Sequence, residues 1–315
     1  MADMTDSPFC RLVKRFGADV IFREMVSAEA IVRGNEKTFS MIDFEEAERP
    51  NIQQIFGKDP AVAAEAARII EERYHPDGID INMGCPVRKM VSDFNGAALM
   101  REPELAGRIV RAVKNAVMVP VSVKMRLGWS DPAECLTFAP MIEEAGADLV
   151  SVHGRTKAQG YSGRADWGMI ARVKARLKIP VLANGDIVSP KDAKQALEIT
   201  QADGVLVGRG ALGRPWALRY MKDFVTAGVL NEEPDYEEKK ETTIEHFRLM
   251  EKRYGCRAAT LFRKHLVWYW KGFPGASELR TRLMKISNSN DLLTAYSDWD
   301  SLDKGGVSDK MKQNS

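Results

Sequence analysis

The chain has 315 residues, 44% hydrophobic and 29% charged, with a formal net charge of +2. That is ample apolar material for a packed core, which excludes disorder as the main state, and no apolar run nears the ~18 residues of a membrane span. The start, MADMTDSPFCRLVKR, lacks the apolar segment of a secretory signal, so a cytoplasmic protein with no membrane partner is expected.

In chain order, Thr5-Asp6-Ser7-Pro8 is a helix-start signal, and a helix is predicted over 8–16. Short β-branched runs then alternate with longer amphipathic stretches. Strands are predicted at 19–23, 51–56, 78–82, 119–124, 149–153, 180–183 and 204–207. Helices are predicted over 60–73, 104–117, 135–145, 169–177 and 190–200, the last with Ser189 as cap and Pro190 at its first position. Strand runs such as VLVSVH show little alternation, as expected for strands covered on both faces. The repeating unit points to a parallel barrel or a doubly wound sheet. A (β/α)8 barrel needs eight strands, and seven precede residue 210. The first recognisable element is a helix, so the first strand is expected to be missing, with its place upstream of Met1.

Beyond Phe224 the pattern changes: residues 226–236 read as a linker, and the chain beyond them is helical. Between Glu251 and Asn290 lie nine Lys and Arg against two Glu, interleaved with Tyr254, Phe262, Trp268, Tyr269, Trp270 and Phe273. The near-neutral total hides this basic segment. Its aromatics are expected to pack a small core and its cations to face nucleic-acid phosphates. The expected organisation is a domain at 1–225, a helical domain at 237–300 and a disordered tail at 301–315.

Polar residues recur where predicted strands end: Gln54, Asn82, Lys124, His153 and Asn184, with Gly208-Arg209 after the last strand. In parallel α/β folds these ends face the ligand crevice, which makes the set a candidate active site. Cys85, between Gly84 and Pro86, reads either as a small buried hydrophobe or as an acid; a thiol of ordinary pKa is protonated at neutral pH and donates a proton. Lys124 suits a Schiff base or a cation beside an anionic ring, with Arg126 on the same face. His153 reads as a core or site histidine. Neither it nor the four cysteines (Cys10, Cys85, Cys135, Cys256) shows metal spacing, so no metal is expected. Gly208–Gly213 matches GxGxxG, but no strand ending in an acidic residue comes after it at the dinucleotide spacing. Together with Asn184-Gly185-Asp186 it reads as a single-phosphate site at the last two strands.

The stretches Asp80-Ile81-Asn82-Met83-Gly84-Cys85-Pro86, Val123-Lys124-Met125-Arg126, His153-Gly154-Arg155-Thr156, Ala183-Asn184-Gly185-Asp186 and Gly208-Arg209-Gly210 resemble the tRNA-dihydrouridine synthases, most closely the bacterial B-type branch. Arg263-Lys264-His265 with Trp268-Tyr269 is similar to that family's C-terminal helical domain. The resemblance implies a (β/α)8 TIM barrel followed by a helical tRNA-binding domain, and reduction of particular tRNA uridines with FMN and NADPH; a monomer is expected, though the sequence leaves the oligomeric state open. Position by position, it implies Cys85 as the acid at C5 and Gln54, Lys124 and His153 at the flavin ring. Asn184, Gly185, Asp186, Gly208 and Arg209 would hold the FMN phosphate, and Asn82, Arg126 and Arg155 would meet the uracil. In the family the first strand ends in Pro-Met-Ala. Met1-Ala2 aligns with that place here, so the first strand and part of a flavin-contacting loop are expected to be absent from this sequence. Two alternatives stand beside this reading: a catalytically impaired tRNA-binding homologue, and a flavin oxidoreductase acting on a free pyrimidine.

Overall fold

The computed structural model describes residue 1, residues 4–273 and residues 275–303. The chain divides into two compact units, Met1–Ala211 with Trp216–Leu230, and Leu212–Pro215 with the residues from Asn231 onward. Among the described residues no helix is long and apolar enough to cross a membrane.

The first unit opens on α1 (Ser7–Arg15), capped by the Asp6 carboxylate with Pro8 in its first turn. Next are β1 (Ile21–Phe22), β2 (Val26–Ser27), α2 (Ala28–Val32), α3 (Glu36–Ile42), β3 (Asn51–Phe56), α4 (Pro60–Tyr74) and β4 (Gly78–Met83). Then come α5 (Arg88–Ser92), α6 (Pro103–Ala116), β5 (Val121–Arg126), α7 (Cys135–Glu144), β6 (Leu149–His153), α8 (Trp167–Lys174), β7 (Val181–Asn184), α9 (Pro190–Thr200), β8 (Gly204–Leu206) and α10 (Ala217–Ala227). All ladders are parallel and each neighbour follows its predecessor, from the β1/β2 pair on β3 through to β8. This is a (β/α) barrel architecture, and among the described residues no ladder joins β8 to β1. The helices α2, α3 and α5 lie outside the predicted elements, being too short for a periodicity to register.

The predicted strand at 19–23 is the first half of an interrupted one. Phe22 pairs with Ile52 and Val26 with Ile55, so four steps on one strand oppose three on the other, a one-residue bulge. Gln53 Nε2 donates to the Glu24 carbonyl inside the bulge (3.0 Å), and Met25 is turned toward Asn82 (Nδ2 to Sδ 3.5 Å). Beneath it, Arg23 and Glu48 form a fully buried ion pair at 2.7 Å; Arg23 also donates to the carbonyls of Met41 and Asp43.

The pleat sorts the strand residues by face. Ile79, Ile81, Met83, Val121, Val123, Met125, Val150, Val152, Val181 and Ala183 join one apolar cluster with α4 and α6 side chains such as Ala66, Ile70, Ile109 and Val113. The residues between them are Asp80, Asn82, Ser122, Lys124, Arg126, Ser151 and His153. The strands are therefore covered on both faces, as expected, but the inner cover is polar, and the alternation is regular in β4 and β5.

One device repeats at the N-terminal end of the sheet. Asp77, Asp148 and Asp203 each stand just before a strand. Each carboxylate accepts the first strand N–H of the preceding neighbour, from Asn51, Val121 and Val181 respectively, at 2.7 Å. Arg49, Lys114 and Lys174 pair with the same carboxylates. A charge-assisted hydrogen bond thus satisfies a strand-start donor that would otherwise lack a partner.

The second unit comprises α11 (Tyr236–Tyr254), α12 (Ala258–Tyr269), α13 (Ala276–Leu283) and α14 (Ser289–Asp303). Asp235 and Glu238 close a capping box on α11. Phe247, Phe262, Leu266, Tyr269, Trp270, Leu279 and Tyr296 form its core. Trp268 is only half-buried. Gly213, at φ +67°, belongs here: a Cβ would collide with the Trp268 backbone. The third glycine of the GxGxxG run therefore serves helix packing. The expected linker is partly helical, since α10 runs to Ala227, and α14 extends through residue 303, into the tail expected from 301. The remaining tail, 304–315, lies outside the described residues.

Candidate active site

At the C-terminal mouth of the sheet the inward residues of five strands meet. Asn82, near the end of β4, turns its carbonyl oxygen back to accept from the backbone N–H groups of Gly84 (3.2 Å) and Cys85 (3.0 Å). This side-chain turn sets the loop that carries the half-buried Cys85 thiol. Arg126 grips the same loop, donating from Nε to the Gly84 carbonyl (2.7 Å) and from Nη1 to those of Thr156 (2.9 Å) and Gly160 (2.8 Å). Behind Cys85 stands Gly96, at φ +60°, whose Cβ position lies 2.8 Å from the Cys85 carbonyl oxygen.

Lys124 is a half-buried cation one pleat below Arg126, donating to Asn184 Oδ1 at 3.3 Å. Burial pushes its pKa down to about 8; Arg126 adds to the fall, while Asp80 and Cys85 oppose it. Asn184 in turn donates to the Leu206 carbonyl (2.6 Å), which ties β7 to β8. His153 is buried and surrounded by cations. Burial first, then Lys124, Arg126, Arg155 and Arg209, drive its pKa down to about 2, so the ring is neutral at every working pH.

Below the mouth, Gln54 links β3 to β4. Its amino group faces Asp80 Oδ2 and its carbonyl accepts from Asn82 Nδ2 at 2.8 Å. The other Asp80 oxygen accepts the Ser122 hydroxyl at 2.6 Å. Burial raises the Asp80 carboxyl above its usual range, against the hydrogen bonds from Ser122 and Gln54 and the nearby Lys124 charge.

Arg155 is buried and committed. It donates to the carbonyls of Ser162 (3.1 Å) and Gly163 (2.7 Å) and forms a two-oxygen pair with Asp186 at 2.9 and 2.6 Å. Burial pushes the Asp186 carboxyl up, but the Ala165 N–H and the Arg155 charge outweigh it and hold the carboxyl below its ordinary value. Asp186, at φ +56°, follows Gly185, at φ +113°, in the turn after β7. A Cβ on Gly185 would lie 2.8 Å from both His153 Cδ2 and Ala165 Cβ, so only glycine fits there. Gly208 is open on that side apart from the Met1 sulfur at 3.6 Å, and Arg209 after it is half exposed.

The structure thus brings Gln54, Asn82, Cys85, Lys124, Arg126, His153 and Asn184 together. Arg126, Arg155 and Asp186 turn their charged groups into the protein, onto carbonyls and each other. Sequence reasoning missed four residues: Asp80, Ser122, Gly96 and Tyr161. Tyr161 is 59% exposed between Gly160 and Gly163, with Arg209 Cζ at 4.7 Å from its ring centre and the His153 ring at 6.0 Å. An aromatic residue flanked by glycines in the loop after β6 was its only signal.

A parallel barrel with a thiol, a half-buried cation, a neutral histidine and two glycine turns at its strand ends is a barrel enzyme. The chain belongs to the dihydrouridine synthase family, whose sequence model, described as "Dihydrouridine synthase (Dus)", matches residues 1–301. It is 41% identical over 283 residues to a "Probable tRNA-dihydrouridine synthase" of Rickettsia bellii, covering 89% of this chain and 86% of that one. A "Probable tRNA-dihydrouridine synthase 1" of Synechocystis is 41% identical over 291 residues, covering 91% and 81%. A "tRNA-dihydrouridine synthase B" of Xanthomonas axonopodis pv. citri is 38% identical over 305 residues, covering 95% and 90%.

Proposed function

We propose that this protein reduces uridines of tRNA to 5,6-dihydrouridine, with FMN as cofactor and NADPH as reductant. The observation that carries the reading is Cys85, held by Asn82, Arg126 and Gly96 at the mouth that Lys124 and His153 also line.

The residues suit an anionic flavin. Lys124 offers a half-buried ammonium, His153 a neutral ring, Gly185 and Gly208 close backbone approach, and Arg209 a cation for a phosphate. Asn184 holds Lys124 in place. FMN held by these residues would supply hydride chemistry toward C6 of the uracil, with NADPH as the source of its electrons. As the C5–C6 double bond is lost, Cys85 gives its proton to C5 and recovers one from water. Arg126 and Arg155 act in this reading through the loops they hold: Arg126 through the Cys85 loop, Arg155 through the loop bearing Tyr161. The exposed Tyr161 ring offers a stacking surface for a base taken out of its helix.

Of the nine cations between Glu251 and Asn290, Lys252, Arg257, Lys271 and Lys285 are exposed and suit tRNA phosphates, whereas Arg253, Arg263, Lys264, Arg280 and Arg282 are half-buried, against the expectation that the whole set faces nucleic acid.

Purified protein should be yellow, bleach with NADPH and form dihydrouridine in tRNA lacking it. Cys85→Ala should still bleach with NADPH while tRNA reduction falls by about 10²–10⁴-fold, the usual range for losing a positioned acid. If Cys85→Ala reduces tRNA at the normal rate, the acid role fails. Turnover of free uridine but not tRNA would favour the free-pyrimidine oxidoreductase, and tRNA binding without flavin the impaired homologue.

A further inference from the structure

We propose that Asp80 is a positioning residue for the proton donor: through Gln54 and then Asn82 it orients the loop that carries Cys85. The proposal rests on the reading of Cys85 as the acid. Asp80, Ser122, Gln54 and Asn82 are all at least nine-tenths buried, so each polar atom must find its partner inside the protein.

The relay has one end, at Cys85, whose chemistry leaves no choice. At one end the backbone N–H groups of Gly84 and Cys85 donate, so the atom facing them must accept; that is the Asn82 carbonyl oxygen. The Asn82 amino group therefore points the other way, onto Gln54 Oε1 at 2.8 Å. Gln54 must then present its own amino group to Asp80. At the far end Asp80 offers acceptor oxygens, one to Gln54 and one to Ser122 at 2.6 Å. Every donor along the chain points toward Asp80. An amide in the middle has two faces of opposite polarity and no preference between them. The acceptor at position 80 selects one face of Gln54, which selects one face of Asn82. Without it Gln54 can reverse and set its amino group against that of Asn82. The Asn82 carbonyl then leaves the Gly84 and Cys85 donors, and the loop loses one of its holds.

The fixing quality is an acceptor oxygen, and the charge is secondary. In Asp80→Asn the carbonyl can still face Gln54 while the new amino group faces Ser122, whose hydroxyl rotates to accept. Asp80→Asn should therefore preserve the loop, and Asp80→Ala should release it. The test is the alkylation rate of Cys85 by iodoacetamide in the full chain, followed by peptide mass mapping. The exposed Cys256 serves as internal reference, because Cys10 and Cys135 are buried. Circular dichroism verifies folding. Asp80→Ala should raise Cys85 alkylation about tenfold, the shift that losing one buried link gives a local opening equilibrium. Asp80→Asn should stay within about twofold of the parent, and Cys256 should not change in either.

Unchanged Cys85 alkylation in folded Asp80→Ala overturns the proposal. So does an Asn variant that behaves like Ala, since the charge would then be the cause. Should Asp80→Ala fail to fold, Gln54→Met removes the middle link with a side chain of similar length, and the same increase at Cys85 is required. The readout needs neither tRNA nor turnover. A failure here is thus distinct from a failure of the acid role, which Cys85→Ala tests.

Discussion

Gly96 and Cys85 are in direct backbone contact: a Cβ on Gly96 would lie 2.8 Å from the Cys85 carbonyl oxygen and 3.2 Å from its nitrogen. Eleven positions apart, they close the loop between β4 and the next turn, and the Ala97 N–H donates to the same Cys85 carbonyl at 3.1 Å. The thiol is therefore braced from behind by a residue without a side chain.

Gly96→Ala should lower stability by about 1–2 kcal/mol, the cost of a left-handed conformation for an L-residue, before any steric clash is added. It should also displace the Cys85 loop. Urea unfolding would read the first effect. The expected kinetic signature is slower tRNA reduction with NADPH bleaching of the flavin unchanged. Normal rates on both steps would contradict the bracing.

Lys124 is a cation only below about pH 8, where burial has placed its pKa. If Lys124 holds the proposed FMN, affinity for it should fall as the pH rises through 8, as the ammonium loses its proton. Lys124→Met should bind FMN more weakly at pH 7 and show no such fall. Titration of FMN fluorescence quenching between pH 7 and 9.5 distinguishes these outcomes. A wild-type affinity flat across pH 8 would argue against a role for this charge.

Buried neutral histidines make the protein acid-sensitive. Burial lowers the pKa of His153 to about 2 and that of His246, which faces the Tyr269 hydroxyl at 3.0 Å, to about 3. The unfolded chain takes up a proton near pH 6.5, whereas the folded chain does not. Stability is thus complete above pH 6.5 and declines below it, by on the order of 2 kcal/mol per histidine at pH 5. Urea midpoints at pH 7.5, 6 and 5 should fall in that order. His246→Gln should flatten the decline, and an unaltered slope would show that His246 is not responsible.

In the helical unit Lys252, Arg257 and Lys271 are exposed. If they meet phosphates, replacing any one by Ala should weaken binding of all tRNAs alike and reduce the log–log salt slope by about 1. Filter binding between 50 and 200 mM salt is the measurement. A triple variant with an unchanged slope would move the tRNA contact elsewhere.

Much of this architecture is local and so can be read along the chain. The β-branched runs at 51–56 and 149–153 match β3 and β6, and Ser189-Pro190 marks the start of α9, because caps and strand propensity act over a few residues. The interrupted strand was only half legible. Its second half, Val26–Ser27, is recognisable only once Ile55 and Phe56 lie beside it and the bulge sets the register.

By itself the sequence determined which side chains end the strands. In a pleated parallel sheet, order along the strand decides both face and end, so Asn82, Lys124 and His153 could be placed at one mouth. What each group is free to do was decided only in three dimensions. Arg126 and Arg155 look like ligand-binding cations in the chain. Yet Arg126 is committed to loop carbonyls 30 or more positions away, and Arg155 to the Asp186 carboxylate 31 positions on. Asp80 looks like one polar residue in a strand, yet it ends a relay through Gln54 and Asn82 to Cys85. Such partners lie on different strands, and they meet only when the parallel registers set Gln54 beside Asp80 and Asn82 beside Lys124. A buried polar atom takes its partner from whatever the fold brings within about 3 Å, and no local pattern encodes that choice.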